Sequence, residues 1–153
     1  MKSNFNSCFS NAVKEVISNL CQCEDITNTE FEMKEFSFFS ADISIFLNIS
    51  GKLRGSIFYS MSKDFALELS SIMIGFPISE IDELSKSSLL ELANMISGKA
   101  MTKLSDLGHY CETSIPVFMN KGDEIPFKNT LGVHFETETP IGVLYTGISL
   151  RES

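Results

Sequence analysis

The stretch DELSKSSLLELANMISGKA, residues 82–100, decides how the chain is read. At about 100° per residue, Ser87, Glu91, Asn94 and Gly98 fall within roughly 60° of arc on one side of a helix. Leu89, Ala93, Ile96, Ala100, Leu104 and Leu107 recur at spacings of three, four and seven on the opposite side, the one a packed helix buries. The polar stripe is therefore expected to face outward. It carries a carboxylate and a carboxamide for which a core-facing helix has no use.

Working outward, Ser79-x-x-Asp82 reads as a capping-box variant, with Glu80, Asp82 and Glu83 placed where negative charge suits a helix N-terminus. Asp82 thus has a structural task of its own. Gly108 is expected to end this helix. Residues 63–74 predict another helix, stopped by Gly75 and Pro77, and Ala12, Val13, Val16, Ile17 and Leu20 give helical spacing to residues 11–21. Residues 36–39 and 42–49 are rich in aromatic and β-branched side chains, and Ser50-Gly51 offers a tight turn into a strand over 52–60. Further strands are predicted over 110–118, 130–136 and 141–150, separated by Asn120-Lys121-Gly122-Asp123 and Glu138-Thr139-Pro140. Strands with short connections make an antiparallel sheet, and long helices laid on it make an α+β fold.

The composition agrees with one modest domain over residues 1–153. A chain of 153 residues with 43% hydrophobic content and 13 Phe can bury its own core without disulfides or metal. Cys21-x-Cys23 lacks a second Cys or His pair to complete a tetrahedral site, so Cys8, Cys21, Cys23 and Cys111 are read as reduced thiols and no metal is expected. No apolar run approaches the ~20 residues of a membrane span, and the N-terminus is not built like a signal peptide; a cytoplasmic protein is expected. The net charge of −8 repels nucleic acid and anionic lipid. A partner surface carrying Lys or Arg fits better. His109 and His134 are too isolated to suggest a constellation, and Gly51-x-x-x-Gly55 lacks the Lys and Ser/Thr of a phosphate loop.

Asp82, Ser87, Glu91, Asn94 and Gly98 form the pattern D-x4-S-x3-E-x2-N-x3-G. The pattern resembles the signature of the CheC and CheX chemotaxis phosphatases, and the resemblance extends to the strand pair ending GKLRGSIFYSMS (51–62), the following helix and the motif helix. It implies a pseudo-twofold CheC-like fold with a hidden duplication, although no repeat is visible by eye. Some members carry E-x-x-N twice; here Glu15 and Glu68 are followed three residues on by Ser18 and Ser71, so the single site resembles the CheX branch more. The implied substrate is the aspartyl phosphate of a CheY-type response regulator, which brings its own Mg2+ and lysine. On this resemblance Glu91 and Asn94 are catalytic, Ser87 and Gly98 contact the partner, and no cofactor is bound by the chain itself. CheX-like proteins are dimers, and an aromatic strand over 36–46 permits edge pairing.

The residues themselves restrict the chemistry. An exposed carboxylate is a weak base at neutral pH and an amide takes up no proton, so proton abstraction explains the pair poorly. A carboxamide offers donors and an acceptor and can hold a water in line with phosphorus. Exposed Glu and Asn at helical spacing are most often only solubilising; the full five-residue pattern reverses those odds. A second reading, from another class, is a non-catalytic CheC-like module that docks a signalling or flagellar-switch protein through the same helix.

Overall fold

Residues 2–33, 42–123 and 132–152 are described by the structure, a computed structural model. Among them the elements run α1 (Lys2–Cys21), β1 (Thr27–Met33), β2 (Ile43–Gly51), β3 (Leu53–Met61), α2 (Lys63–Ile74), α3 (Glu83–Asp106), β4 (Cys111–Thr113), β5 (Val117–Asn120), β6 (Gly132–Thr139) and β7 (Gly142–Glu152).

The helix ends follow from their side chains. Ser62 caps α2 by accepting from the Phe65 N–H, and Gly75, in the left-handed region at φ 96°, closes it with its N–H on Ser71 O. The box that opens α3 lies between Asp82 and Ser85, one turn later than the expected Ser79–Asp82 pairing: Asp82 Oδ1 accepts from the Ser85 N–H, and Ser85 Oγ accepts from the Asp82 N–H. Leu107 also departs from expectation. The helix ends at Asp106, and Leu107, at its C-cap, is 50% exposed.

Other boundaries shift for visible reasons. Helix α1 starts at Lys2 instead of residue 11, because Phe5, Cys8 and Phe9 extend the same buried stripe backwards. The span 110–118 breaks into β4 and β5 around Pro116, where Ser114 instead exchanges hydrogen bonds with Asn48: its N–H donates to Asn48 O, and its Oγ accepts from the Asn48 N–H. Strand β6 runs on to Thr139, whose Oγ1 accepts from the N–H groups of Ile141 and Gly142 and so makes the turn into β7. The strand expected over 36–39 lies outside the described residues, as do residues 130 and 131 of the strand expected over 130–136.

All described pairings are antiparallel, in the order β1-β6-β7-β3-β2-β4, with β5 also on β2. Hairpin β2–β3 meets hairpin β6–β7 along β3 and β7, with Ile57 opposite Ile148, and each hairpin has a further strand on its outer side. This arrangement reads alike from both ends, as a pseudo-twofold requires. At one point of this seam, Gly55, the backbones leave no room for a side chain: a Cβ there would collide with the Ser149 carbonyl oxygen.

One face of the sheet, bearing Ile45, Leu47, Leu53, Ile57, Tyr59, Phe135, Leu144 and Ile148, joins the buried sides of all three helices in a single core. Helix α3 packs against both α1 and α2 and also contacts β4 and β5. Alternation puts Phe46, Phe58 and Met119 on the other face, where they form a smaller buried cluster.

Candidate functional site

Helix α3 is fixed in rotation by what it buries. Leu89, Leu92, Ala93, Ile96, Ala100 and Leu104 are each at most 2% exposed. A polar pin lies among them: the hydroxyl of Tyr59, on β3, is 2.8 Å from Ser97 Oγ, and both residues are buried. Burial pushes the Tyr59 hydroxyl well above the usual phenol range, so it stays neutral and bonded to Ser97. Ser97 stands at the rim of the buried arc, three residues past Asn94. Turning the helix would break this bond and expose apolar surface.

The opposite arc therefore faces out. Ser87, Glu91, Asn94 and Gly98 are all exposed. Among the described residues, the side chains of Ser87, Glu91 and Asn94 make no hydrogen bond or ion pair. A Cβ added at Gly98 would meet nothing within 4 Å, so no neighbouring element explains a glycine in the middle of this helix. Glu91 and Asn94, one turn apart, have Cβ atoms about 5–6 Å from each other. The arrangement is a carboxylate acceptor and an amide donor–acceptor on a rigid rod, facing solvent. It can bind and orient; groups to complete a reaction would have to come from what docks on it.

Asp82, the remaining member of the five-residue pattern, is engaged at the N-cap. Its carboxyl is held below the usual range chiefly by the Ser85 backbone N–H. None of the four cysteines is in a disulfide; Cys8 and Cys111 are buried, and burial pushes the thiols of Cys8 and Cys21 up. The His109 ring packs edge-on against Phe5 at 4.9 Å, away from the stripe, and desolvation lowers the His134 pKa. No group of three or more His, Cys, Asp or Glu gathers among the described residues, and no helix among them is long and apolar enough to cross a membrane.

Sequence reasoning missed what lies beside the stripe. Asn94 and Gly98 form one rim of a groove of about 570 Å3 between α3 and α1, across which Lys99 and Lys103 reach Glu15. The four-residue spacing of the two lysines was visible in the chain; their shared partner, 88 residues before Lys103, was not.

Comparison with known proteins places this geometry. The family described as chemotaxis phosphatase CheX matches residues 43–138, a span that contains all of α3. The CheY-P phosphatase CheX of Thermotoga maritima is 36% identical over 78 residues, 50% of this chain and 50% of that protein, so the chain spans about half the length of this curated relative. Among solved structures, a CheC-like superfamily protein from Shewanella sp. PV-4 superposes with TM-score 0.85 at 21% identity, over 99% of each chain. The CheX–CheY–BeF3–Mg2+ complex of Borrelia burgdorferi matches with TM-score 0.80 at 20% identity, over 97% of this chain and 98% of that one. At these identities the structural likeness carries the fold.

Proposed function

Because the chain belongs to the chemotaxis phosphatase CheX family, we propose that it hydrolyses the aspartyl phosphate of a CheY-type response regulator, with Asn94 orienting the attacking water and Glu91 pairing with a lysine of the regulator. The observation that carries this reading is the pair of exposed, unengaged side chains on α3, a helix whose rotation the core and the Tyr59–Ser97 bond hold fixed. A protein that supplies only a positioned amide and a carboxylate suits a substrate that brings the rest. In the Borrelia complex, CheY comes with Mg2+ and beryllium fluoride, which stands in for a phosphoryl group.

In this reading the regulator provides the phosphoaspartate, the Mg2+ and the lysine. The Asn94 amide oxygen accepts a hydrogen bond from water and holds it in line with phosphorus; the water oxygen bonds to phosphorus as the bond to the aspartyl oxygen breaks. The aspartyl carboxylate leaves and stays on the regulator, and inorganic phosphate carries away the water oxygen with both its protons. Holding the water replaces a rare encounter with a prepared geometry. Glu91 anchors the regulator through a charge-assisted contact. Ser87 and Gly98 extend the contact surface, Gly98 by letting the partner backbone approach. Residues 1–153 act in this reading as one cytoplasmic domain that assembles as a homodimer.

The test is direct. Phosphorylated CheY-type regulators incubated with the protein should lose phosphate faster than by their own decay, and Asn94→Ala should abolish the acceleration while still binding the regulator. Binding without any acceleration by the unmutated protein would favour the docking-module reading.

A further inference from the structure

We propose that the groove between α1 and α3 is the second half of the docking surface, in which Lys99 and Lys103 exchange Glu15 for carboxylates of the response regulator. The proposal rests on the reading of the Glu91–Asn94 stripe given above and deepens it, since the groove begins where the stripe ends.

Three observations carry it. The groove, of about 570 Å3, is continuous with the stripe: Asn94 and Gly98 are on one rim, and Met95, 39% exposed, lies between that rim and the lysines. Across it, Lys103 Nζ lies 2.9 Å from Glu15 Oε1 and Lys99 Nζ 3.7 Å from Glu15 Oε2, so two ammonium groups share one carboxylate. The Lys103 hydrogen bond is the main reason the Glu15 carboxyl is held below its ordinary range. All three side chains remain between 30% and 47% exposed, where ion pairs are weak and readily exchanged.

The charge balance gives the exchange its direction. The whole chain carries −8, and the partner surface is acidic too, because a phosphoaspartate sits beside the carboxylates that hold a divalent cation. Two such surfaces repel unless cations face the approach. With Asp106 lining the groove one turn beyond Lys103, Glu15, Lys99, Lys103 and Asp106 sum to zero, which makes the groove less repulsive ground than the rest of the chain. Glu15 then plays a second part: it keeps both lysines extended toward the groove in the free protein and competes with the incoming carboxylates. Removing the lysines and removing their holder should therefore have opposite effects.

The experiment measures binding of a CheY-type regulator loaded with beryllium fluoride and Mg2+ to the full chain, by fluorescence anisotropy at several salt concentrations. Lys99→Gln/Lys103→Gln should raise Kd about tenfold and flatten its salt dependence, while Lys99→Arg/Lys103→Arg should keep both near the unmutated values. Glu15→Gln should lower Kd severalfold at low salt. The kcat at saturating phosphorylated regulator should stay unchanged in all three. If the glutamine variants at Glu15 and at the lysines move Kd in the same direction, or leave it unmoved, the ion pair is only structural and the proposal is overturned; failure of the unmutated chain to bind overturns it as well. Opposite shifts in Kd without any phosphate loss would sink the hydrolytic reading and leave this one standing. Hydrolysis with an unmoved Kd would do the reverse.

Discussion

The two sides of α3 obey different rules. On the inner side Leu89, Ile96 and Ala100 are at most 1% exposed, and even the polar Ser97 is matched by Tyr59. On the outer side the exposed side chains of Ser87, Glu91 and Asn94 make no hydrogen bond or ion pair among the described residues, and Gly98 borders open space. An exposed side chain without such a partner contributes little to folding. The outer side is thus free to be chosen for what approaches it, and the inner side for holding it still.

The sharpest way to break this contrast is to alter one residue on each side. Asn94→Ala should remove hydrolysis down to the regulator's own rate and move the melting temperature by no more than a few degrees, since Ala suits an exposed helix position. Leu89→Ala should do the opposite: it should lose about 2–5 kcal/mol of stability through a cavity beneath the helix, while the molecules that remain folded still hydrolyse. Chemical denaturation combined with phosphate release separates the two. An Asn94→Ala variant as active as the unmutated chain would sink the assignment of the water to this side.

Glu91→Ala should lose activity with weakened binding, by about 1–3 kcal/mol if its contact with the regulator is desolvated, and calorimetric titration reads that difference. Asn94→Ala and Glu91→Ala would then fail differently, one in rate and the other in affinity. Gly98 offers a finer probe. Because an added Cβ meets nothing in the protein, Gly98→Ala should stabilise the helix by about 0.5–1 kcal/mol, whereas Gly98→Gln should stabilise it and still weaken regulator binding. Stability gained together with unchanged affinity would remove Gly98 from the docking surface.

The smallest effect belongs to Asp82. Its folded pKa lies below the ordinary 3.8, chiefly through the Ser85 N–H, so its contribution to stability is complete above that value and fades as pH falls through the lower folded one. Asp82→Asn, which can still cap the helix, should shift the melting temperature by a few degrees at neutral pH and by less near pH 2. Equal shifts at both pH values would show that the charge has no part in the cap.

Much of this is legible in the amino-acid sequence alone. The helix expected over 63–74 is the one observed, because its Ser62 cap, apolar spacing and Gly75 stop are all local signals. The alternation of α3 is equally local, and its polar stripe does face out. Strand β1, with the sequence TNTEFEM, gives no such signal: five of its seven residues are polar, it lies at the edge of the described sheet, and only its pairing with β6, about 100 residues away, makes it a strand. The groove is hidden for the same reason, because Glu15 and Lys103 meet through the packing of α1 on α3 and no short-range pattern records that contact. What side chains do within a turn or two can be read along the chain, and what they do across the fold cannot.

The strand order described above also has a history in time. Strand β7, which follows the other described strands along the chain, is inserted between β6 and β3 near the middle of the sheet, so Leu53 finds its partner only once Glu152 has been made. Until then β3 presents an open edge beside the already paired β2, and a contact of such long sequence separation closes slowly. A nascent chain stalled before residue 142 should therefore be a captive of chaperones or a seed for aggregation, and this domain should acquire protease resistance in one step when β7 pairs, instead of helix by helix.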